Sequence, residues 1–93
     1  MNFNYMKDFI KVVEYKSLNK ASRELNISTP ALSKRIRSIE DYFDCNLFYR
    51  TSKGIFLTQK GNAVYHSFLK INEQFEELKS EISESKDREE AHV

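Results

Sequence analysis

Apolar positions recur at helical spacing along most of the chain, and short polar breaks reset their phase. From Phe3 to Tyr15 the stripe is Met6, Phe9, Ile10 and Val13, with Lys7, Asp8, Lys11 and Glu14 expected outside it. Leu18, Ala21 and Leu25 make a second stripe, behind Ser17 as N-cap. The turn Asn26-Ile27-Ser28 closes that helix, with Ile27 bridging it. Leu32, Ile36 and Ile39 carry a third helix over residues 29–43, capped by Ser28 or Thr29 and with Pro30 in its first turn, where a missing N–H costs nothing. A helix that buries Leu32, Ile36 and Ile39 turns Ser33, Lys34 and Arg37 outward. Two short amphipathic helices joined by a tight turn, the second with bases on its free side, are the layout of a helix-turn-helix, here about 18–37. The alternative is an ordinary helical hairpin with solvated lysines.

Beyond Phe43 the texture changes. Residues 46–50 and 55–57 read as two short strands, with turn chemistry at Thr51-Ser52-Lys53-Gly54. Leu47, Phe48 and Leu57 are expected to face inward, and Arg50 and Lys53 to flank the tip of this wing. Thr58 then caps a last helix expected over residues 59–84. Val64, Phe68, Ile71, Phe75, Leu78 and Ile82 are spaced 4, 3, 4, 3, 4 along it, a heptad seam. A helix of about 26 residues extends roughly 40 Å, too far for a small body to cover, so the seam is expected to pair two subunits. Folding back onto its own domain could account for Val64 and Phe68 but not readily for Phe75, Leu78 and Ile82. Residues 85–93 have almost no apolar content and are expected to be a disordered tail. The predicted fold class is therefore mainly α: a winged helix-turn-helix over residues 1–58, with three helices and a β-hairpin wing, followed by a long dimerisation helix.

Net charge changes the picture only once it is mapped. The whole chain carries +1, which by itself does not suggest an anionic partner. Residues 16–60, however, hold nine Lys or Arg against four acids, and residues 61–93 hold four against eight. A basic body with an acidic end suits a nucleic-acid partner. The single cysteine, Cys45, excludes an intrachain disulfide. The N-terminus lacks a basic segment followed by an apolar run, and no stretch has the length and apolarity of a membrane span, so a cytoplasmic protein without a membrane partner is expected. His66 and His92 lie far apart, and HExxH, CxxC and glycine-rich phosphate loops are missing. The reading is accordingly a non-enzyme with no metal and no cofactor. A pure protein-interaction module is the rival, and salt-sensitive duplex binding discriminates the two.

The chain resembles the N-terminal DNA-binding region of LysR-type transcriptional regulators from Met1 to about Gly61, and more loosely along the last helix. The resemblance rests on Phe9 with Val13, on 17–22 (SLNKAS), on 28–33 (STPALS), on Ile39-Glu40, on 47–51 (LFYRT) and on 57–61 (LTQKG). It implies a transcriptional regulator that binds an inverted-repeat operator as a homodimer paired through the linker helix. RNA polymerase is a further candidate partner, and an effector ligand is implied only if a C-terminal domain exists in the full-length protein. Three positions depart from the family pattern. Thr29 stands where Gln is usual, which exchanges a bidentate adenine contact for one hydroxyl and one methyl. Lys34 stands for Arg and loses the guanidinium fork. Asp44 replaces a Gly, in a turn that Asp still tolerates.

The expected DNA surface is Thr29, Pro30, Ser33, Lys34 and Arg37 on the recognition helix. Thr29 and Ser33 can touch base edges, Lys34 a guanine or a phosphate, and Arg37 a phosphate. Lys20 and Arg23 on the supporting helix, and Arg50, Thr51 and Lys53 at the wing, can clamp phosphates. Arg50 has an alternative role, holding the hairpin to a carboxylate such as Glu40.

Overall fold

In the computed structural model the order of elements is α1 (Phe3–Tyr15), α2 (Leu18–Leu25), α3 (Thr29–Phe43), β1 (Phe48–Thr51), β2 (Gly54–Leu57) and α4 (Gln59–His92). The structure describes the backbone of residues 2–92 and the side chains of residues 2–84. Local hydrogen bonds explain most of the boundaries. Asn2 Oδ1 accepts from the Asn4 amide at 2.8 Å, Ser17 Oγ from Lys20 at 3.2 Å and Ser28 Oγ from Ala31 at 3.2 Å, each satisfying a donor that the first turn leaves unpaired. The first three helices stop at residues in the left-handed conformation: Lys16 (φ 53°), Asn26 (φ 58°) and Asp44 (φ 53°). At Asp44 the left-handed turn thus forms without a glycine, and the amide of Cys45 reaches back to the Glu40 carbonyl at 3.2 Å.

The wing is an antiparallel hairpin in the register Phe48↔Leu57, Tyr49↔Phe56, Arg50↔Ile55 and Thr51↔Gly54. Its first strand begins two residues later than the apolar pattern suggests. Asn46 and Leu47 are tied elsewhere: Asn46 O accepts from Thr58 Oγ1 at 2.7 Å, Leu47 O accepts from the Thr58 amide at 3.0 Å, and the Leu47 amide donates to Glu40 Oε2 at 2.7 Å. Gly54 sits at φ 137°, and a Cβ there would lie 2.6 Å from the Lys16 carbonyl oxygen, which already accepts from the Ile55 amide at 3.2 Å. The wing is therefore docked on the end of α1.

The core joins α1, α2, α3, the hairpin and the first turns of α4 through Met6, Phe9, Val12, Ala21, Leu32, Ile36, Ile39, Leu47, Ile55 and Phe68. Phe9 is the hub, with ring centroids 4.9 Å from Phe48 and 5.3 Å from Phe68. Thr58 caps α4 as expected, accepting from Gly61 N at 3.1 Å. Gly61 is buried where α4 crosses the hairpin, and a Cβ there would run into the Leu47 carbonyl oxygen.

Three expectations need correction. Asp8, expected outside, is only 4% exposed. Its Oδ2 accepts from Arg35 Nη1 at 2.9 Å, and that guanidinium lies 5.4 Å from the centre of the Tyr5 ring. A charge this deep is tolerated because its partner comes from α3. The Asp8 hydrogen bond and charge hold Arg35 above its ordinary pKa, against an opposing effect of burial.

Second, α4 continues as helix to His92, past the expected end at residue 84 and through most of the stretch expected to be disordered. No Gly or Pro interrupts residues 85–92, and Glu, Lys, Arg and Ala there favour helix. Val93 lies outside the described residues, as do the side chains from residue 85 onward.

Third, the heptad seam is not one surface. Phe68 is buried in its own domain and Val64 packs half-buried against the same core. Phe75 meets Phe3 of the same chain at 4.5 Å between ring centroids. Only Ile71, Leu78 and Ile82 stand open, at 44%, 50% and 59% exposure. The reason is that α1 runs alongside α4, so its first turn reaches a part of α4 that looked unsupported. With α4 projecting, the molecule measures 58 × 25 × 21 Å.

Candidate nucleic-acid interface

The free face of α3 and the inner edge of the wing enclose two shallow, adjoining grooves. One, of about 250 Å³, lies between the start of α2, the start of α3 and the hairpin, and Ser17, Asn19, Thr29, Arg50 and Thr51 border it. The other, of about 230 Å³, runs along α3 past Ser33, Arg37 and Glu40 to Asn46, Tyr49 and Arg50. The two grooves share Leu18, Arg50 and Ile55, which places Thr29 and Thr51 on one side of Arg50 and Ser33 and Arg37 along the other groove. Pro30, Lys34, Lys20, Arg23 and Lys53 are exposed outside both, on α3, α2 and the wing tip. The ion pairs among the described residues occupy Lys7, Lys11, Arg35 and Lys79 and none of the six cations Lys20, Arg23, Lys34, Arg37, Arg50 and Lys53.

The side chains differ in how free they are. The Thr29 hydroxyl lies 3.0 Å from Ser22 Oγ and donates to Asn19 Oδ1 at 3.1 Å, while Ser22 Oγ donates to the Asn19 carbonyl at 2.8 Å. This cluster ties the first residue of α3 to α2 and leaves the Thr29 methyl as the part without a bonding commitment. Ser33 is half-buried one turn further along α3. At the wing the Lys53 amide donates to Thr51 Oγ1 at 3.1 Å, so Thr51 shapes the tip as well as bordering the groove.

The alternative role for Arg50 does not hold. Glu40 Oε2 is taken by the backbone amides of Leu47 and Phe48, at 2.7 and 3.3 Å, and Arg50 makes no ion pair among the described residues. Glu40 rather than Arg50 therefore fixes the hairpin to α3. Asn19 and Ser22, which hold Thr29, are not assigned a role by the sequence pattern alone. Their signal was a pair of small polar side chains in the first turns of α2, three residues apart and on the face turned to α3. Among the described residues no group of three or more His, Cys, Asp or Glu is arranged to hold a metal ion, and no helix is long and apolar enough to cross a membrane.

A three-helix body with an open, cation-bearing third helix beside a β-hairpin is a winged helix-turn-helix. Residues 3–62 match the family described as bacterial regulatory helix-turn-helix protein, lysR family, and the chain belongs to that family. It is 37% identical over 76 residues to an HTH-type transcriptional regulator of Methanocaldococcus jannaschii, covering 82% of this chain and 26% of the relative. It is 32% identical over 83 residues to the nitrogen assimilation regulatory protein of Klebsiella aerogenes, covering 89% and 27%. The chain thus spans about a quarter of the length of these relatives. Among solved structures, the BenM DNA-binding domain in complex with catB site 1 DNA superposes with a TM-score of 0.86 at 27% identity, covering 90% of this chain and 93% of that one. DarR of Vibrio fischeri in complex with DNA superposes at 0.83 with 31% identity, covering 90% and 29%.

Proposed function

We propose that the chain is the DNA-reading part of a transcriptional regulator, binding double-stranded DNA sequence-specifically as a dimer on an inverted repeat. The observation that carries this reading is the pair of adjoining grooves between α3 and the wing, which share Arg50 on their border, hold Ser33 and Arg37 in one and Thr29 in the other, and are flanked by further cations without ion-pair partners among the described residues. Superposition on domains whose structures contain DNA supports it.

In this reading α3 enters the major groove. Ser33 and Lys34 meet base edges, and Pro30 and the methyl of Thr29 offer apolar contact, for which a thymine methyl is the fitting partner. Arg37, Lys20, Arg23, Arg50, Thr51 and Lys53 meet phosphates, which supply most of the affinity and make it salt-dependent. Two such domains joined through α4, with Ile71, Leu78 and Ile82 in the contact, put recognition helices about 34 Å or a multiple apart. RNA polymerase is a further candidate partner in this reading, and response to an effector belongs to it only where a C-terminal domain exists in the full-length protein.

The test is selection of bound duplexes from a random-sequence pool at two salt concentrations. Enrichment of an inverted repeat is the expected result. Salt-sensitive retention with no enriched sequence removes base readout from the proposal. Failure to retain duplex at low salt overturns it and leaves a protein-interaction module.

A further inference from the structure

Phe75, which heptad spacing assigns to the seam between subunits, has a partner inside its own chain. The contact it makes with the start of α1 is separate from both the core and the DNA-facing surface. We propose that Phe3, Lys7, Phe75 and Glu76 form a latch that sets the angle at which α4 leaves the winged domain, and thereby the half-site spacing that a dimer accepts. This rests on the reading of α4 as the element that joins two subunits.

Three contacts between α1 and α4 build the latch, and Lys79 on α4 adds two more. The rings of Phe3 and Phe75 lie 4.5 Å apart and tilted by 49°. Lys7 Nζ donates to Glu76 Oε1 at 3.3 Å and sits 5.6 Å from the centre of the Phe75 ring. Lys79 Nζ lies 5.8 Å from the same ring and 3.5 Å from Glu76 Oε2. Phe75 is therefore held by an aromatic partner and approached by two cations, both of which also pair with Glu76.

A second attachment lies nearer the body. There Gly61 passes close to the Leu47 carbonyl and Phe68 is buried, 5.3 Å from Phe9 and 6.4 Å from Phe43 between ring centroids. Seven residues of helix, about 10 Å, separate Phe68 from Phe75. Between the two attachments Asn72 Oδ1 is buried and has no hydrogen-bond partner among the described residues. The stretch also carries Leu69, packed against the core, but residues 70–74 add no side-chain hydrogen bond, ion pair or aromatic contact to α1 among the described residues, so an attachment ending at Phe68 and Leu69 would act as a pivot. The latch turns the pivot into a fixed direction.

The leverage is large. Ile82, the last open apolar residue of the proposed dimer surface, is fourteen residues beyond Phe68, about 21 Å along the helix. A swing of about 10° at Phe68 displaces it by roughly 4 Å, more than the 3.4 Å rise of one nucleotide along a DNA strand. In a twofold dimer both subunits contribute, so a small change in the angle of α4 alters the separation of the recognition helices by a base-pair step or more.

The test uses the full chain and the inverted repeat it selects, with spacers lengthened or shortened by one and two base pairs, and a duplex carrying a single half-site. Phe3→Ala and Glu76→Lys are each expected to reduce discrimination between the preferred spacer and its neighbours by about threefold to tenfold, the scale of one aromatic or charged contact. Affinity for the single half-site and dimer mass by sedimentation should stay as in the parent chain. The exchanged pair Lys7→Glu with Glu76→Lys, made together with Lys79→Ala so that no like charge faces the new lysine, is expected to restore discrimination. Spacer discrimination that persists in folded, dimeric variants overturns the latch, as does failure of the exchanged pair to rescue. Equal loss on the single half-site and on every spacer also overturns it. If instead the parent chain occupies its selected DNA as a monomer, the dimer reading itself fails.

Discussion

Replacing Glu40 separates the contacts that hold the wing from the residues proposed to meet DNA. Its Oε2 accepts from the Leu47 amide at 2.7 Å and from the Phe48 amide at 3.3 Å, and Leu47 is fully buried. Glu40→Ala leaves both amides without their acceptor. The shorter bond, to a charged oxygen, contributes about 1.5–3 kcal/mol, and the longer one less. Water can reach part of this half-buried site, so the net cost is about 2 kcal/mol. For a domain of this size that lowers the unfolding temperature by about 8–16 °C. Glu40→Gln keeps an acceptor oxygen while losing the charge, and should cost about half as much. Arg50→Ala removes a side chain with no ion pair among the described residues, so it should shift stability by no more than about 0.5 kcal/mol while weakening duplex binding. Thermal unfolding followed by circular dichroism, beside duplex titration, reads both quantities. An Arg50→Ala variant that loses as much stability as Glu40→Ala, with a double mutant no worse than either single, would falsify this assignment and reinstate an Arg50–Glu40 pair.

Thr29→Ser keeps the hydroxyl bonded to Ser22 and Asn19 but removes the methyl, so it should relax base preference at one position with little loss of stability, whereas Thr29→Val should cost about 1 kcal/mol and leave that preference in place; selection from degenerate duplexes and thermal melts tell them apart. Ser33→Ala should narrow the gap between specific and random DNA, and Arg37→Ala should weaken both about equally; selective loss of the specific complex in Arg37→Ala would reverse the two roles. Gly61→Ala should destabilise by about 1–3 kcal/mol in denaturant titration despite alanine's better helix propensity, because its Cβ meets the Leu47 carbonyl. The hydrogen bond from Lys7, with the charge of Lys79, holds the Glu76 carboxyl below its ordinary pKa, so its stabilising effect is complete above the unfolded-state value and fades as pH falls through the lowered folded-state value; an acid titration in which Glu76→Gln and the parent chain lose stability in parallel over that window contradicts the sign.

Local chemistry made much of this fold legible in the sequence. Ser17, Ser28 and Thr58 mark helix starts because the bonds they make span only three residues, and Asp44 marks a stop because it tolerates a backbone that few residues adopt. The period of the apolar residues located the buried faces of α2 and α3 for the same reason: each is a property of one helix. What stayed hidden depends on pairs far apart in the chain. Asp8 reads as solvent-facing until Arg35, twenty-seven residues on, is seen to reach it, and Phe75 reads as a seam residue until Phe3 is seen beside it. Spacing tells which side of a helix is apolar but not what covers it. For α4 the stripe is shared, Phe68 and Phe75 turned to the body and Ile71, Leu78 and Ile82 left open on the adjoining flank. Among the candidate site residues, Ser33 and Arg37 could be assigned to the free face of α3 from periodicity alone. The engagement of the Thr29 hydroxyl could not, because it depends on how α2 packs against α3.

The same dependence on pairing decides what the charges can do. Nine cations in residues 16–60 overstate the basic surface, since Arg35 is spent on Asp8 and turned toward Tyr5. A net charge of +1 understates it, because acids concentrate beyond residue 60, and Glu76 there pairs with Lys7 and Lys79 rather than with any cation of α2, α3 or the wing. Within the body, Glu40 is one of only four acids in residues 16–60, and its Oε2 is bonded to backbone amides. That oxygen is thereby engaged by peptide N–H groups and not by an ion pair with Arg37 or Arg50 among the described residues, and those two cations keep their capacity for phosphate. Exchanging Glu40 for a neutral acceptor and exchanging Arg50 for alanine should therefore act on different observables, the first on the hold of the wing and the second on the duplex.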